Sequence, residues 1–194
     1  MIPRVRIQSA LLLAAIVLGP RAASAQAVYL TTRQALAELF STSERVTFTR
    51  VELSAEQRAR LTARLGYDPR RSSQTFYVGT TSGRIDGYAV VDEEKGLSQP
   101  ITFAVLFDPR GRVQRMEILA YREPRGDEVR SRRYRQQFVG KTAGDALRYG
   151  DDISAVSGAT ISSRSLAVGV RRAAVMLEEL LLSRARAGSR PLSP

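Results

Sequence analysis

The sequence predicts an α+β protein in which an antiparallel β-sheet is flanked by helices and followed by a long C-terminal helix. Two observations support this prediction. Between positions 101 and 121, two apolar runs of strand length flank a turn at 108–111, with Pro109 at a favoured turn position and Gly111 where a positive φ costs little. Apolar residues then recur at helical spacing over 161–182, at positions 166, 170, 173, 174, 177, 180 and 181.

Residues 1–25 have the pattern of a secretory signal peptide. Two arginines precede the apolar run 10–18, and Ala-Ser-Ala at 23–25 is a small-x-small cleavage site. An uncleaved anchor is the alternative, but the run is shorter than the roughly 20 residues that span a bilayer. Since no Arg-Arg pair precedes the run, the general secretory route is favoured. We expect an exported protein, in the periplasm or on the outer face of the cytoplasmic membrane.

The remaining chain is long enough for one hydrophobic core. We expect a single domain over 26–186 and a disordered tail over 187–194. A capping box at Ser54 and Gln57 opens one helix, and Gly66 ends it. The other predicted elements are helices at 32–40, 127–138 and 161–182, a short helical turn at 142–147, and strands at 46–53, 75–78, 84–91, 101–107 and 113–121, with a loop at 68–73.

The composition excludes several kinds of chemistry. The 194 residues include no Cys, His or Trp, so disulfides, thiolate zinc sites, iron–sulfur clusters, c-type haem and imidazole bases are excluded, and no metal site is expected. Redox chemistry here would require an organic cofactor. The net charge is +11. Since no nucleic-acid motif is present, the arginine-rich segments indicate an acidic partner, an anionic membrane surface or a solvated face.

The segment most suggestive of a ligand site precedes the long helix. Ser157, Gly158 and Ala159 are small enough to let the backbone approach a ligand, and Thr160 falls at the helix start. Free N–H groups and the positive end of the helix dipole favour an anion there, and hydroxyls at Ser162 and Ser163 add donors. This pattern is typical of a phosphate site. Alternatively, Thr160 is only the N-cap of a tight loop.

The stretch AVSGATISS at 155–163 resembles the flavinylation motif of the FMN-binding domain family. This family includes the flavin subunits of the sodium-translocating NADH:quinone reductase and of the Rnf complex, and the flavin domain of nitrous-oxide-reduction regulators. A second block, YREPRGDEV at 121–129 followed by FVGK at 138–141, is similar to the family's Gly-containing loop and Phe-x-Gly-Lys turn. The resemblance covers 75–182. Ser154 departs from it, because the family usually has Asp there.

The resemblance implies that FMN is attached to Thr160 as a phosphoester, installed by a flavin transferase that uses FAD. It further implies an electron carrier that works with a redox partner protein or a membrane electron-transport complex. Lys141 is then a candidate counter-charge for the phosphate. Glu123 is a candidate acceptor for a ring or ribityl hydrogen bond, and Gly126 lets its loop approach the flat ring.

Two other functions stay open at this point. One is a flavin-dependent reductase of a small or quinone-like acceptor. The other is a binding module of the same fold without flavin. The aromatic residues of the second block, Tyr121, Tyr134 and Phe138, could pack on the ring, but aromatic residues at such spacing are more often part of the core.

Overall fold

The computed structural model describes residues 27–69 and 71–183, so the predicted leader and tail lie outside the described residues. The strands are β1 (Ala27–Val28), β2 (Arg45–Glu52), β3 (Ser73–Thr81), β4 (Arg84–Lys95), β5 (Pro100–Phe107) and β6 (Val113–Tyr121). The helices are α1 (Thr32–Leu39), α2 (Ala55–Leu65), a 3₁₀ turn (Asp127–Arg130), α3 (Arg132–Gln136) and α4 (Thr160–Leu177), which continues as a π-helical turn (Glu178–Leu182). None of the described helices is both long and apolar enough to cross a bilayer.

The six strands form one antiparallel sheet in the order β1-β6-β5-β4-β3-β2. The predicted hairpin forms β5 and β6, in which Phe103 lies opposite Ile118. Helices α2 and α4 pack on one face and α1 on the other. The α+β prediction, with its antiparallel sheet and long C-terminal helix, is therefore confirmed.

Strand β5 is buried on both faces, which explains its nearly continuous apolar sequence. On one face, Phe103 and Phe107 pack in the core that includes α4. On the other face, Ala104 and Leu106 pack in the smaller core that includes α1. The sheet thus holds α4, and the loop before it, in a fixed position.

The first two helices begin at local sequence signals, and the second also ends at one. Thr31 and Ser54 each form a capping box at a helix start, with Gln34 and Gln57 as the reciprocal partners. Gly66 ends α2 with φ +83°, a conformation that glycine adopts at little cost.

An ion-pair network fixes α4 to the sheet. The Arg172 guanidinium, buried in the protein, donates to Asp92 Oδ2 at 2.7 Å from Nη2 and also pairs with Glu94. Arg71 pairs with the other Asp92 oxygen. Gly169 allows this close approach, since a Cβ there would lie 2.8 Å from the Glu94 side chain.

Two of the predicted elements are wrong. The expected helix at 127–138 is interrupted at Ser131, whose φ of −56° and ψ of 142° leave the helical region while its hydroxyl accepts a hydrogen bond from the Tyr134 N–H. The segment 142–147 is a non-helical turn, because the Asp145 carboxylate accepts the Thr142 N–H at 2.8 Å. Strands β3 and β4 are also longer than expected.

Candidate functional site

The loop over 154–159, here called the attachment loop, delivers Thr160 to the start of α4. Gly158 turns the chain with φ +81°, and the Glu128 carboxylate lies beside it, since a Cβ on Gly158 would be 3.5 Å from its oxygen. Ala159 occupies the N-cap position, so no side chain caps the helix. Thr160 is the first helical residue and is exposed. The alternative interpretation of Thr160 as an ordinary N-cap is therefore wrong.

The Thr160 hydroxyl has no hydrogen-bond partner among the described residues. It stands at the positive end of an 18-residue helix whose first N–H groups receive no side-chain cap. An accessible hydroxyl of this kind can be esterified, and an anion attached to it would lie where the helix favours negative charge.

A cavity of about 330 Å³ opens beside Thr160 and is called here the threonine cavity. One wall is the start of α4, and the opposite wall is the loop after β6. The exposed side chain of Leu97 completes it from the loop between β4 and β5. Its lining consists of Leu97, Glu123, Pro124, Arg125, Gly158, Ala159, Thr160, Ile161 and Ser162.

The two main walls are joined by a pair of hydroxyl groups. The Tyr121 hydroxyl donates to the Arg125 carbonyl at 2.7 Å and lies 2.7 Å from Ser162 Oγ. Gly126 follows Arg125 in this loop and adopts φ +91°. A Cβ at this position would be 2.6 Å from the Tyr121 hydroxyl. The close approach that Gly126 allows is therefore between two protein segments.

Glu123 organises the third wall. Its carboxylate accepts hydrogen bonds from the Ser98 N–H at 2.6 Å, the Gln99 N–H at 2.9 Å and the Ser98 hydroxyl at 2.8 Å. Desolvation acts to raise the pKa of Glu123, but the hydrogen bonds from Gln99 and Ser98 outweigh it and hold the pKa below its usual value. Glu123 thus lines the cavity while fixing the loop that carries Leu97.

Ser162 and Ser163, predicted as phosphate donors, are both buried and bonded within the protein. Ser163 Oγ accepts the Val156 N–H at 3.4 Å, and the Tyr134 hydroxyl donates to the Ser163 carbonyl at 2.8 Å. Burial raises the pKa of Tyr134. The Phe138 ring packs edge-to-face on Tyr134, with 5.4 Å between the ring centroids. Ser163, Tyr134 and Phe138 thus support the attachment loop from the core side.

The predicted core role of the three aromatic residues is confirmed, since Tyr121, Tyr134 and Phe138 are all buried. Ser157 lies on the opposite side of the attachment loop, in a second cavity of about 470 Å³ that also includes Arg133 and Gln137. The Gln137 amide holds the loop there, accepting the Ser154 N–H at 2.7 Å.

Lys141 is not brought to the threonine cavity. Its ammonium lies 2.9 Å from Asp152, which also accepts the Leu147 and Arg148 N–H groups. The basic residue that lines the threonine cavity is Arg125. Sequence reasoning missed Arg125, although it lies inside the second motif block, and it also missed Leu97, whose contribution depends on Glu123.

Two comparisons with known proteins found a match. The sequence model of the FMN-binding domain family matches residues 96–175. The structure is similar to the crystal structure of Shewanella oneidensis NqrC, with a TM-score of 0.55 and 16% identity, over 79% of this chain and 89% of that chain. At this identity the likeness is one of fold. A search of curated proteins found no match. The part of the chain that matches this family's sequence model includes Thr160, Arg125 and the attachment loop.

Proposed function

We propose that the protein is an exported electron carrier that holds FMN through a phosphoester to Thr160. The observation that carries this proposal is the exposed, unbonded Thr160 hydroxyl at the uncapped start of α4, beside the threonine cavity. A flavin transferase would supply the FMN from FAD. The bond from Thr160 Oγ to phosphorus forms, the pyrophosphate bond of FAD breaks, AMP leaves, and the hydroxyl proton is released.

The charge of the attached phosphate suits the groups around Thr160. A phosphodiester keeps one negative charge, which the N–H groups and the dipole of α4 stabilise. Arg125, on the facing wall, supplies a guanidinium that can approach it as a charge-assisted donor. Lys141 would act indirectly, by holding the 147–152 loop through Asp152.

The threonine cavity offers mainly apolar surface to a planar ring. Leu97 and Ile161 are both large and exposed at its mouth, at 67% and 48% of their surface. A ring that covers them would remove this apolar surface from water, which favours binding. When bound, FMN supplies the electron-accepting and electron-donating chemistry that the side chains of this protein lack. Glu123 would keep the loop that carries Leu97 in place at the cavity.

A covalent bond has a clear physical purpose in an exported carrier. A free cofactor that dissociates outside the cytoplasm is diluted, whereas a tether keeps its effective concentration high. Electrons would then pass to and from a redox partner protein or a membrane electron-transport complex. The basic surface could also meet an anionic membrane.

In-gel flavin fluorescence under denaturing conditions tests the proposal. The protein is co-expressed with a flavin transferase, and the wild type is compared with Thr160→Ala and Thr32→Ala. Thr32 is a matched control, since it is also exposed and also the first residue of a helix. We expect fluorescence in the wild type and in Thr32→Ala, and none in Thr160→Ala. A fluorescent Thr160→Ala band or a wild-type band without fluorescence would overturn the proposal.

A further inference from the structure

A separate cleft lies on the flank of α4 between the end of α2 and the loop at 147–149, and is called here the arginine cleft. Its volume is about 420 Å³, within the range of small-molecule sites. Its chemistry comes from two tyrosines and three arginines: Tyr67, Tyr149, Arg148, Arg164 and Arg171. Neither Thr160 nor any other lining residue of the threonine cavity belongs to it.

The charge of the arginine cleft is only partly neutralised. Arg164 is exposed and has no ion-pair partner among the described residues. Its guanidinium carbon, Cζ, lies 5.2 Å from the centroid of the Tyr149 ring. Arg171 donates to the Leu65 and Arg64 carbonyls, both at 2.8 Å, so it is held rigidly by neutral oxygens. Arg148 pairs with Asp151 at 3.3 Å. No acidic residue lines the cleft among the described residues.

One wall of the cleft has a strained backbone. Leu147 adopts φ +44°, a left-handed conformation that is rare for a residue with a branched side chain. The Asp152 carboxylate holds it there by accepting the N–H groups of Leu147 at 3.1 Å and Arg148 at 2.8 Å. Such strain persists only where several contacts fix it, and it clusters at binding sites. The proposed flavin chemistry does not require it.

We propose that the arginine cleft binds a planar aromatic anion, such as an aromatic carboxylate. Tyr67, Tyr149 and Val168 provide aromatic and apolar lining, while Arg164 and Arg171 provide positive charge in the same cleft. Arg164 lies one helical turn beyond Thr160, about 6 Å along the axis of α4. The ligand would therefore bind near the flavin but on its own surface.

Calorimetric titration with 2-naphthoate tests this proposal on the unmodified protein, so the result does not depend on flavin attachment. The neutral isostere 2-naphthamide measures the contribution of the anionic charge. We expect naphthoate to bind about tenfold more tightly than naphthamide, because the guanidinium groups pair with the carboxylate. Absence of naphthoate binding, or equal affinity for the two compounds, would overturn the proposal.

Two variants locate the site. Arg164→Gln should weaken naphthoate binding about tenfold. Arg33→Gln, on α1 at the opposite face of the sheet, makes the same change in net charge and should leave affinity unchanged. Equal loss in both variants would show a general charge effect and overturn the assignment. Circular dichroism confirms that both remain folded.

A third comparison separates this cleft from the flavin site. Flavinylated protein should bind naphthoate with the affinity of the unmodified chain. Binding that disappears only in the flavinylated protein would mean that the flavin itself fills the cleft, and would overturn the proposal of a second site. Failure of flavin attachment alone would leave the titration result standing.

Discussion

The Tyr121 hydroxyl lies 2.7 Å from Ser162 Oγ and joins the end of β6 to the first turn of α4. Because the Arg125 carbonyl can only accept, Tyr121 donates its proton there and accepts the one from Ser162. The two walls of the threonine cavity are therefore fixed to each other by a directed pair of hydrogen bonds. Both motif blocks meet at this contact.

Removing this hydroxyl should loosen the cavity. Tyr121→Phe leaves the Ser162 hydroxyl and the Arg125 carbonyl without their partner and should lower the free energy of unfolding by about 1–2 kcal/mol. Urea denaturation measures the change. Tyr88→Phe is the control, because Tyr88 is also buried and its hydroxyl has no hydrogen bond among the described residues. An equal cost in both variants would contradict the role given to Tyr121.

The close contact at Gly126 can be separated from backbone strain. Gly126 and Gly140 have similar φ values, +91° and +84°, but a Cβ would meet the Tyr121 hydroxyl at Gly126 and nothing within 4 Å at Gly140. Gly140→Ala should cost about 1 kcal/mol from conformation alone, and Gly126→Ala about 2–4 kcal/mol. Thermal unfolding measures both. A larger loss of stability in Gly140→Ala than in Gly126→Ala would contradict the close contact assigned to Gly126.

The stability of the protein should fall when the guanidinium of Arg172 is removed from its buried ion-pair network. Arg172→Met leaves Asp92 and Glu94 without their shared partner and should lower the free energy of unfolding by about 3–5 kcal/mol. Arg50→Met breaks an exposed pair with Glu52 and should change it by less than about 0.5 kcal/mol. Chemical denaturation compares the two. Similar effects would show that the Arg172 network contributes little.

Acid should destabilise two loops, the one at 97–99 that Glu123 holds and the one at 147–152 that Asp152 holds. Desolvation acts to raise the pKa of Asp152, but hydrogen bonds from Lys141 and from the Arg148 and Leu147 N–H groups outweigh it and lower that pKa, as hydrogen bonds also do for Glu123. A lowered folded-state pKa gives stability that is present above the unfolded-state value and lost as pH falls through the folded-state value. Stability should therefore decline below about pH 4.5.

The same titration can be assigned to particular carboxylates. Asp152→Asn and Glu123→Gln should each be less stable than the wild type at pH 7 and should lose less stability between about pH 4.5 and pH 3. Melting temperatures recorded across this range provide the comparison. Acid curves parallel to that of the wild type would show that neither carboxylate carries the effect.

Local signals in the sequence were sufficient for much of the fold. The capping boxes at Thr31 and Ser54 depend on residues three positions apart, and the strand pattern of β5 depends on a spacing of two, so both are visible without tertiary information. The position of Thr160 at the start of α4 could be predicted because small residues directly precede an amphipathic helix pattern.

Contacts between distant segments explain what the sequence did not reveal. Glu123 accepts a hydrogen bond from Ser98, about 25 positions earlier in the chain. Lys141 forms an ion pair with Asp152, whereas the sequence suggested it as a counter-charge for a phosphate. The interruption at Ser131 is a local effect instead, since its hydroxyl accepts the N–H of Tyr134 three residues later, and helix propensity does not decide between this cap and a continuous helix. The sequence suggested Ser162 and Ser163 as accessible hydrogen-bond donors, but packing against distant segments buries both.

Peptide mapping by tandem mass spectrometry tests the central claim most directly. Protein co-expressed with a flavin transferase is digested, and the peptide that contains Thr160 is fragmented to locate the modification. We predict that this peptide gains the mass of FMN less one water and that the added mass is on Thr160. An unmodified Thr160, or FMN on Ser157 or Ser162, would contradict the account.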